Sequence, residues 1–144
     1  MLEEVRKNIL EVVASCDTVQ FCTFGLSIYP ETRTIANFLN KNKNNTKDLT
    51  LHFLTNKHSH KIEQVENNKN VCLYYFNQET RHAMTLFGDV EVILDQTEKQ
   101  KFWMDDWKSF GYSGKDDKTY CIIQFTPKIY KYYINKSDEQ TGEI

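Results

Sequence analysis

The sequence predicts a mainly β fold, a partly closed antiparallel barrel with helices at its edges. About seven short runs rich in β-branched and aromatic residues are joined mostly by connections of hairpin length. Aromatic residues make up 13% of the chain, a share that favours strands. Strands and helices do not alternate regularly, so a doubly wound parallel sheet is not expected.

The first third of the chain predicts one helix followed by strands. Apolar residues recur at helical spacing from Leu2 to Val13, so a helix is expected to end near Ser15. The run TVQFCTFGL predicts a strand from Thr18 to Leu26, followed by a turn at Tyr29-Pro30-Glu31. Two more strands, Arg33 to Leu39 and Leu49 to Thr55, flank a polar hairpin loop from Asn40 to Asp48.

The middle of the chain predicts a short helix and two strands. The helix begins at Ser59-His60-Lys61, and an apolar strand follows from Val71 to Phe76. After a turn at Asn77-Gln78-Glu79, a long strand-like run extends from Arg81 to Leu94. Gly88 near its centre predicts a bulge or bend of the kind found where a sheet curls into a barrel.

The last third predicts an aromatic helix and two strands. Asp95 and Thr97 each precede a Glu or Gln by three residues, which is a capping-box pattern. The predicted helix carries three aromatic residues: Phe102, Trp103 and Trp107. The segments after it are a loop (Gly111 to Asp117), a strand (Thr119 to Phe125) ended by Pro127, a last strand (Ile129 to Ile134) and a frayed polar tail (residues 135–144).

Length and charge exclude several classes of function. The 144 residues fit a single domain spanning residues 1–144. A net charge of −2 provides no basic field for nucleic-acid phosphates or an anionic membrane. No apolar run approaches membrane-spanning length, and the mixed-charge N-terminus is unlike a signal peptide. A soluble cytoplasmic protein is therefore expected.

The four cysteines suggest packing rather than chemistry. They are Cys16, Cys22, Cys72 and Cys121, without a CxxC pair or zinc-ligand spacing. Cys72 and Cys121 interrupt apolar runs, where a thiol usually packs as a small hydrophobe. Reduced, buried thiols are expected, and a disulfide framework is the weaker interpretation.

The segment between Thr55 and Lys61 is the strongest candidate site. Hydroxyls, an amide, an imidazole and a lysine lie where an apolar strand ends and a helix begins. Free helical N–H groups and the positive end of the helix dipole suit an anion there, above all the phosphate of a cofactor. The alternative is that Ser59 only caps the helix while Lys61 is solvated.

Arg33 and Asn37 form a second candidate. Because side chains two or four residues apart share one face of a strand, both are expected on the same face. The guanidinium of Arg33 can bind a phosphate through two parallel hydrogen bonds, and the Asn37 amide could hydrogen-bond the edge of a heterocycle. An arginine exposed on an edge strand is the equally plausible alternative.

The other polar and aromatic groups give weaker signals. His58 and His60 have a spacing that can chelate a metal, but neither carboxylate nor cysteine completes a set, so no metal is expected. Trp103 and Trp107 lie four residues apart, a spacing more typical of a core or a subunit interface than of a cofactor stack. No catalytic triad or glycine-rich phosphate loop is present, so catalytic residues stay unknown.

Taken together, the motifs resemble the pyridoxamine 5'-phosphate oxidase-like flavoproteins, specifically their general stress protein branch. Each motif is loose alone, but their order and spacing over nearly the whole chain are fairly specific. The motifs that carry the resemblance are TRxxxN (Thr32–Asn37), LHFLTNKHSHK (Leu51–Lys61), NKNVCLYYF (Asn68–Phe76), VxVILD (Val90–Asp95) and the aromatic segment with its following loop (Phe102–Asp117).

The resemblance implies a split antiparallel β-barrel of about six to seven strands that dimerises and binds FMN at the subunit interface. The family's phosphate cradle has the pattern T-x-x-x-S-R-K, which Thr55, Ser59 and Lys61 match. His60 stands where arginine is usual, so one permanent charge is lost and phosphate affinity should depend on pH. Arg33 matches the strand arginine near the phosphate.

The resemblance also implies where the flavin ring lies. Asn37 falls on the strand that passes the ring, and Trp103 or Trp107 would shape the ring pocket from the neighbouring subunit. The chain lacks the substrate segment of true pyridoxamine phosphate oxidases, ending instead in KYYINKSDEQTGEI. Oxidation of vitamin B6 is therefore not expected.

The leading functional hypothesis is an FMN-dependent flavin reductase or oxidase acting on an unidentified small molecule. Two alternatives stay open: a non-catalytic module that sequesters flavin, and the same barrel holding haem or a deazaflavin. For haem, the candidate axial ligands are His52, His58, His60 and His82.

Overall fold

The computed structural model describes residues 3–43, 45, 47–135 and 138–144. Within them, seven strands form one antiparallel sheet accompanied by short helices. The strands are β1 (Thr18–Phe24), β2 (Pro30–Ala36), β3 (Leu51–Asn56), β4 (Asn70–Phe76), β5 (Ala83–Ile93), β6 (Tyr120–Asn135) and β7 (Asp138–Glu143). The helices are α1 (Glu3–Ser15), α2 (His60–Asn67), α3 (Gln96–Gln100) and two 3₁₀ helices (Phe38–Asn40 and Asp105–Phe110).

The sheet curls into a barrel that stays open along one seam. Its strand order is β2-β1-β4-β5-β6-β3, with β7 also pairing with β6. The two edge strands, β2 and β3, approach each other, yet no hydrogen-bonded ladder joins them in the described part of the chain. The mainly β, split antiparallel barrel predicted from the sequence is confirmed.

Alternating burial along the strands separates a packed interior from an outer surface. Phe21, Phe53 and Leu73 are fully buried between the curled halves of the sheet, and Phe21 and Phe53 meet edge to face at 6.2 Å. Helix α1, which ends at Ser15 as predicted, packs its apolar face against β4 and β5. Of the described helices, none is long and apolar enough to cross a membrane.

Gly88 marks a bulge, as predicted. The register between β5 and β6 shifts between Phe87 and Gly88. A Cβ on Gly88 would lie 2.2 Å from the Thr126 carbonyl oxygen, so only glycine allows this approach. The prediction that Pro127 ends the strand is wrong, because the bulge absorbs the proline within one continuous strand, β6.

Three other boundaries differ from the predictions. The turn expected at Tyr29-Pro30-Glu31 is shorter, since β2 begins at Pro30 and pairs with β1. Helix α3 ends at Gln100, so Trp107 lies in the following 3₁₀ helix instead. The tail expected to fray contains β7, which gains order by pairing with β6. In the loop predicted from Asn40 to Asp48, two residues (Asn44 and Thr46) lie outside the described residues, as do Lys136 and Ser137 of the tail.

The cysteines divide into two environments. All four are free thiols. Cys16 and Cys121 are buried, as expected for small core residues. Cys72, however, is only half-buried, as is Cys22, because both side chains project from the outer face of the sheet. The prediction that Cys72 is a buried core thiol is therefore wrong.

Candidate functional site

The connection between β3 and α2 gathers the predicted anion-binding residues in one tight turn. The Asn56 Oδ1 accepts a hydrogen bond from the His58 N–H at 2.8 Å, which closes the turn after the strand. The Ser59 N–H then donates to the Asn56 carbonyl at 3.1 Å, and α2 begins at His60. The junction predicted from the sequence is present, with the first N–H groups of the helix beside the end of β3.

Lys61 turns back from the first turn of α2 towards β3. Its Nζ donates a hydrogen bond to the Thr55 Oγ1 at 2.7 Å. Burial, reinforced by the positive charge of Arg33, lowers the pKa of the Lys61 ammonium below its usual value. The alternative of a solvated surface lysine is therefore wrong, and among the described residues no carboxylate forms an ion pair with this cation.

Ser59 occupies the N-cap position of α2, yet its hydroxyl caps nothing. The side chain makes no cap hydrogen bond. Among the described residues, the Ser59 Oγ is the one buried side-chain polar atom without a hydrogen-bond partner. A buried hydroxyl without a partner is costly, so its presence at this junction is consistent with a bound acceptor.

Arg33 lies close to Lys61 but is held by a network of its own. One terminal nitrogen donates to the Thr23 Oγ1 at 2.7 Å and to the Phe21 carbonyl at 3.2 Å. The other donates to the Gln64 Oε1 at 2.8 Å and to the Glu31 carboxylate at 3.3 Å. Arg33 is therefore neither a simple exposed edge residue nor a guanidinium whose terminal nitrogens are free to bind phosphate. Its two terminal nitrogens can contact a phosphate at the junction only by exchanging one of these bonds.

Gln64 and Glu31 complete this network, and sequence reasoning did not single them out. Gln64 is 4% exposed, accepts from the Thr23 hydroxyl at 2.6 Å and donates to the Glu31 carboxylate. Gln64 follows Lys61 by three residues and therefore shares its helical face. That spacing is the signal that could have identified it. Glu31 stands two residues before Arg33 on β2, so strand alternation, which puts both side chains on one face, could have identified it as well.

Asn37 does not belong to the site. The structure places it beyond the end of β2 and fully buried. Its amide nitrogen donates to the Val13 and Cys16 carbonyls, both at 2.8 Å, and its Oδ1 accepts from the Tyr75 hydroxyl at 3.0 Å. The prediction that Asn37 contacts a heterocycle is wrong, because its polar groups are used to tie α1 to the barrel.

The four histidines lie in separate settings. His60 is exposed at the start of α2 and lines a shallow depression with Glu31 and Glu63. His52 stacks on Phe102 at 4.4 Å and hydrogen-bonds Gln124, and burial lowers the pKa of its imidazole. His58 is exposed, and His82 meets the edge of a tyrosine ring. Over the described ranges, no group of three metal-ligating side chains occurs.

A cleft of about 380 Å³ lies over the open seam beside the junction. Thr55 and Asn56 line one wall, and Ile35 and Ala36 at the end of β2 line another. Aromatic side chains form the remaining wall: Phe38, Trp107, Phe110 and Tyr112. A mostly apolar slot therefore opens directly next to the polar cradle, an arrangement that suits a flat ring carrying a charged tail.

Trp107 lines this cleft from within its own subunit. It is 2% exposed and packs edge to face against Trp103, with ring centroids 5.5 Å apart. Tyr120 lies beneath both rings. The structure therefore brings Trp107 next to Thr55 in the same chain, rather than holding it out towards a neighbouring subunit.

Comparison with known proteins identifies relatives across almost the whole chain. The family model described as pyridoxamine 5'-phosphate oxidase like matches residues 16–142. No curated protein matches the chain significantly.

Several solved structures share the fold. A protein from Clostridium acetobutylicum, related to general stress protein 26 of Bacillus subtilis, is 24% identical with a TM-score of 0.84, over 100% of this chain and 97% of that chain. General stress protein 26 from Bacillus anthracis is 20% identical with a TM-score of 0.76, over 98% and 99%. An FMN binding protein from Nostoc punctiforme is 14% identical with a TM-score of 0.58, over 99% and 93%. At these identities the structural likeness establishes the barrel alone.

Proposed function

Because the chain belongs to the pyridoxamine 5'-phosphate oxidase-like family, we propose that it binds FMN at the junction of β3 and α2. The phosphate is held by Thr55, Ser59, His60 and Lys61, with Arg33 assisting from β2. The isoalloxazine ring occupies the neighbouring cleft, where Trp107 forms part of the wall. The bound flavin makes the protein an oxidoreductase that acts on a small molecule.

The unpartnered hydroxyl of Ser59 carries this proposal. Phosphate oxygens are strong acceptors, and the Ser59 Oγ is buried without any acceptor in the described chain. Lys61, whose pKa is lowered by burial, gains a counter-charge from the same phosphate. The two observations are independent, yet a single anion at this junction accounts for both.

Charge and position support phosphate over a carboxylate ligand. The first turn of α2 contributes N–H groups, and a second side-chain cation, Arg33, lies close enough to Lys61 to lower the lysine's pKa. A dianionic phosphate offers enough oxygens to meet a hydroxyl, an ammonium and backbone donors together. His60 adds a ring N–H donor at the exposed side of the cradle.

A homodimer is part of the proposal. Three large apolar side chains at or near the cleft rim are exposed: Phe38 (41%), Met104 (38%) and Phe110 (54%). A second copy that covers this rim shields both the apolar residues and the ring, as expected for a flavin bound at a subunit interface. Sedimentation velocity at micromolar concentration tests it, and a monomer in the presence of saturating FMN contradicts it.

Bound FMN supplies the redox chemistry, while the chain binds, orients and shields the ring. Lys61 and Ser59 fix the phosphate end, and the aromatic wall excludes water from one side of the cleft. The small-molecule substrate is unidentified.

The decisive experiment compares FMN with riboflavin, which has the same ring but no phosphate. We expect the purified protein to release FMN on denaturation and the apoprotein to bind FMN far more tightly than riboflavin in a fluorescence titration. Equal affinity for the two flavins contradicts the phosphate cradle. Anaerobic mixing of the holoprotein with NADH or NADPH then tests the activity, since loss of the flavin's visible absorbance is expected. If neither donor reduces the bound flavin, the oxidoreductase activity is contradicted and a module that only sequesters flavin is supported.

A further inference from the structure

The outer face of the sheet carries a pair of cysteines remote in sequence and adjacent in space. Cys22 on β1 and Cys72 on β4 are directly opposite each other in the antiparallel register. Both belong to the outward-facing set of their strands, and both are half-buried. This pair has no role in the phosphate cradle, which uses no cysteine.

The backbone geometry of the pair suits a disulfide. Directly opposite residues in an antiparallel sheet have Cα atoms about 4.5 to 5.5 Å apart. Disulfides span Cα separations of about 4.4 to 6.8 Å, so the strands need not move for the two sulfurs to bond. Cys16 and Cys121, by contrast, are buried at other places in the barrel.

The two thiols are electrostatic neighbours. Burial first, and then the nearby Cys22, raises the pKa of the Cys72 thiol to about 12. The Cys22 Sγ donates a hydrogen bond to the Thr32 Oγ1 at 3.2 Å on the neighbouring strand. Cys72 is therefore protonated at neutral pH, so Cys22 is the sulfur that attacks first.

The pair is also accessible from outside the barrel. Cys22 and Cys72 line an apolar groove of about 460 Å³ on the outer face, together with Phe24, Phe87 and Ile129. Those three apolar side chains are themselves exposed, between 38% and 55%. A small disulfide can therefore reach the sulfurs without opening the core.

We propose that Cys22 and Cys72 form a redox site. Low-molecular-weight disulfides, R–S–S–R, oxidise the two thiols to a disulfide, and the protein gives up two electrons to them. The Cys22 thiolate attacks one sulfur of R–S–S–R, which forms a mixed disulfide and releases R–S⁻. The Cys72 thiol then gives up its proton to the released R–S⁻ as its sulfur attacks the Cys22 Sγ, the Cys22–Cys72 bond forms and the second R–S⁻ leaves. The two thiol protons end on the two released R–SH molecules, so the dithiol is oxidised and R–S–S–R is reduced.

The test equilibrates the reduced full-length protein in glutathione buffers of rising oxidised fraction, followed by acid quenching and alkylation of free thiols. We expect a species whose mass before alkylation is lower by about 2 Da, the two thiol hydrogens. In a non-reducing tryptic digest, the peptide with Cys72 should be linked to the peptide that contains both Cys16 and Cys22. Fragment ions assign the bond to Cys22, and a Cys16→Ser variant is the matched control that keeps the link.

Three results overturn the proposal. One is a glutathione adduct that persists on Cys22 or Cys72 without the internal bond. The second is a disulfide between two copies of the chain, which non-reducing electrophoresis detects as a dimer. The third is a native protein whose four thiols all stay reduced in the most oxidising buffer, while the same chain unfolded in guanidinium reacts. Because the readout is covalent mass, none of these outcomes depends on FMN binding.

Discussion

Lys61 and Thr55 are joined by a 2.7 Å hydrogen bond from the lysine ammonium to the threonine hydroxyl, across the turn between β3 and α2. The ammonium is half-buried, and burial lowers its pKa. Among the described residues, it forms no ion pair with a carboxylate. A half-buried ammonium without a counter-charge would be stabilised by an anion, and its position at the junction allows it to bind one.

Lys61→Ala is expected to weaken FMN binding about 10- to 100-fold, because it removes a charge-assisted hydrogen bond to phosphate. Riboflavin affinity should hardly change, since riboflavin has no phosphate. Lys69→Ala is the matched control: it removes the same charge at the other end of α2, where the side chain is 70% exposed. Fluorescence titration measures all four affinities, and equal losses in both variants contradict the cradle.

Ser59→Ala is expected to have opposite effects on the free and the bound protein. In the apoprotein, loss of a buried, unpartnered hydroxyl should leave the free energy of unfolding unchanged or raise it by about 1 kcal/mol. FMN affinity should fall several-fold. Urea unfolding and flavin titration report the two quantities separately. Ser15→Ala is the control, because the Ser15 hydroxyl already donates to the Val12 carbonyl at 2.7 Å and its removal offers no such gain.

Glu31→Gln is expected to tighten FMN binding about two- to fivefold, since the Glu31 carboxylate competes with phosphate for Arg33. The effect is small because the Glu31 side chain is 49% exposed and its charge is screened. Glu63→Gln neutralises a carboxylate on α2 that lines the same depression as Glu31 but whose loss leaves the hydrogen bonds of Arg33 in place. If both variants tighten binding equally, a general field effect explains the result and competition for Arg33 does not.

As the pH rises, FMN affinity is expected to fall at a lower pH than it would if Lys61 had the usual pKa of a lysine. Lys61 binds phosphate as the ammonium, and its pKa lies below the usual 10.5, so the charge is lost at a lower pH. The stability of the apoprotein has the opposite pH dependence. Between the lowered pKa of Lys61 in the folded chain and the usual 10.5, the free energy of unfolding rises with pH, because the unfolded chain still binds the proton that the folded chain has released. Lys61→Arg keeps its charge, and the alkaline loss of affinity should disappear. An unchanged pH profile in that variant assigns the titration elsewhere.

Oxidation of Cys22 and Cys72 is expected to raise the free energy of unfolding by about 2 to 4 kcal/mol, since the bond closes a long loop between β1 and β4. Guanidinium unfolding of the oxidised and reduced wild-type protein measures the difference. Cys22→Ser should remove the difference between the two conditions. A wild-type protein that is destabilised by oxidation indicates a strained bond, contrary to the register of the strands.

Local patterns predicted the elements well where a single cause decides them. The capping signature at Asp95 is confirmed, since its carboxylate accepts from the Glu98 N–H at 2.9 Å. Gly88 predicted a bulge because only glycine allows so close an approach of two strands. Pro127 was misleading. A proline ends a strand only where its missing N–H would have paired with the neighbouring strand, and here the bulge interrupts that pairing opposite Gly88.

The candidate site was predictable in part. The helix start at Ser59 and Lys61 follows from neighbouring residues, so the sequence shows it directly. Asn37 was misplaced because the strand ends one residue earlier, which turns its amide into the barrel instead of along the sheet. Arg33 was found, but its bonds to Thr23 and Gln64 depend on how β2 packs against β1 and α2.

The sequence by itself determined the barrel class and the polar junction, because periodicity, caps and turn residues act over a few positions. Only the tertiary structure decided that the Ser59 hydroxyl has no partner, that the Lys61 ammonium is half-buried and that Arg33 bonds Thr23 and Gln64. It also placed Cys22 opposite Cys72, fifty positions along the chain. Burial and strand register depend on contacts between distant segments, and no local pattern of residues encodes them.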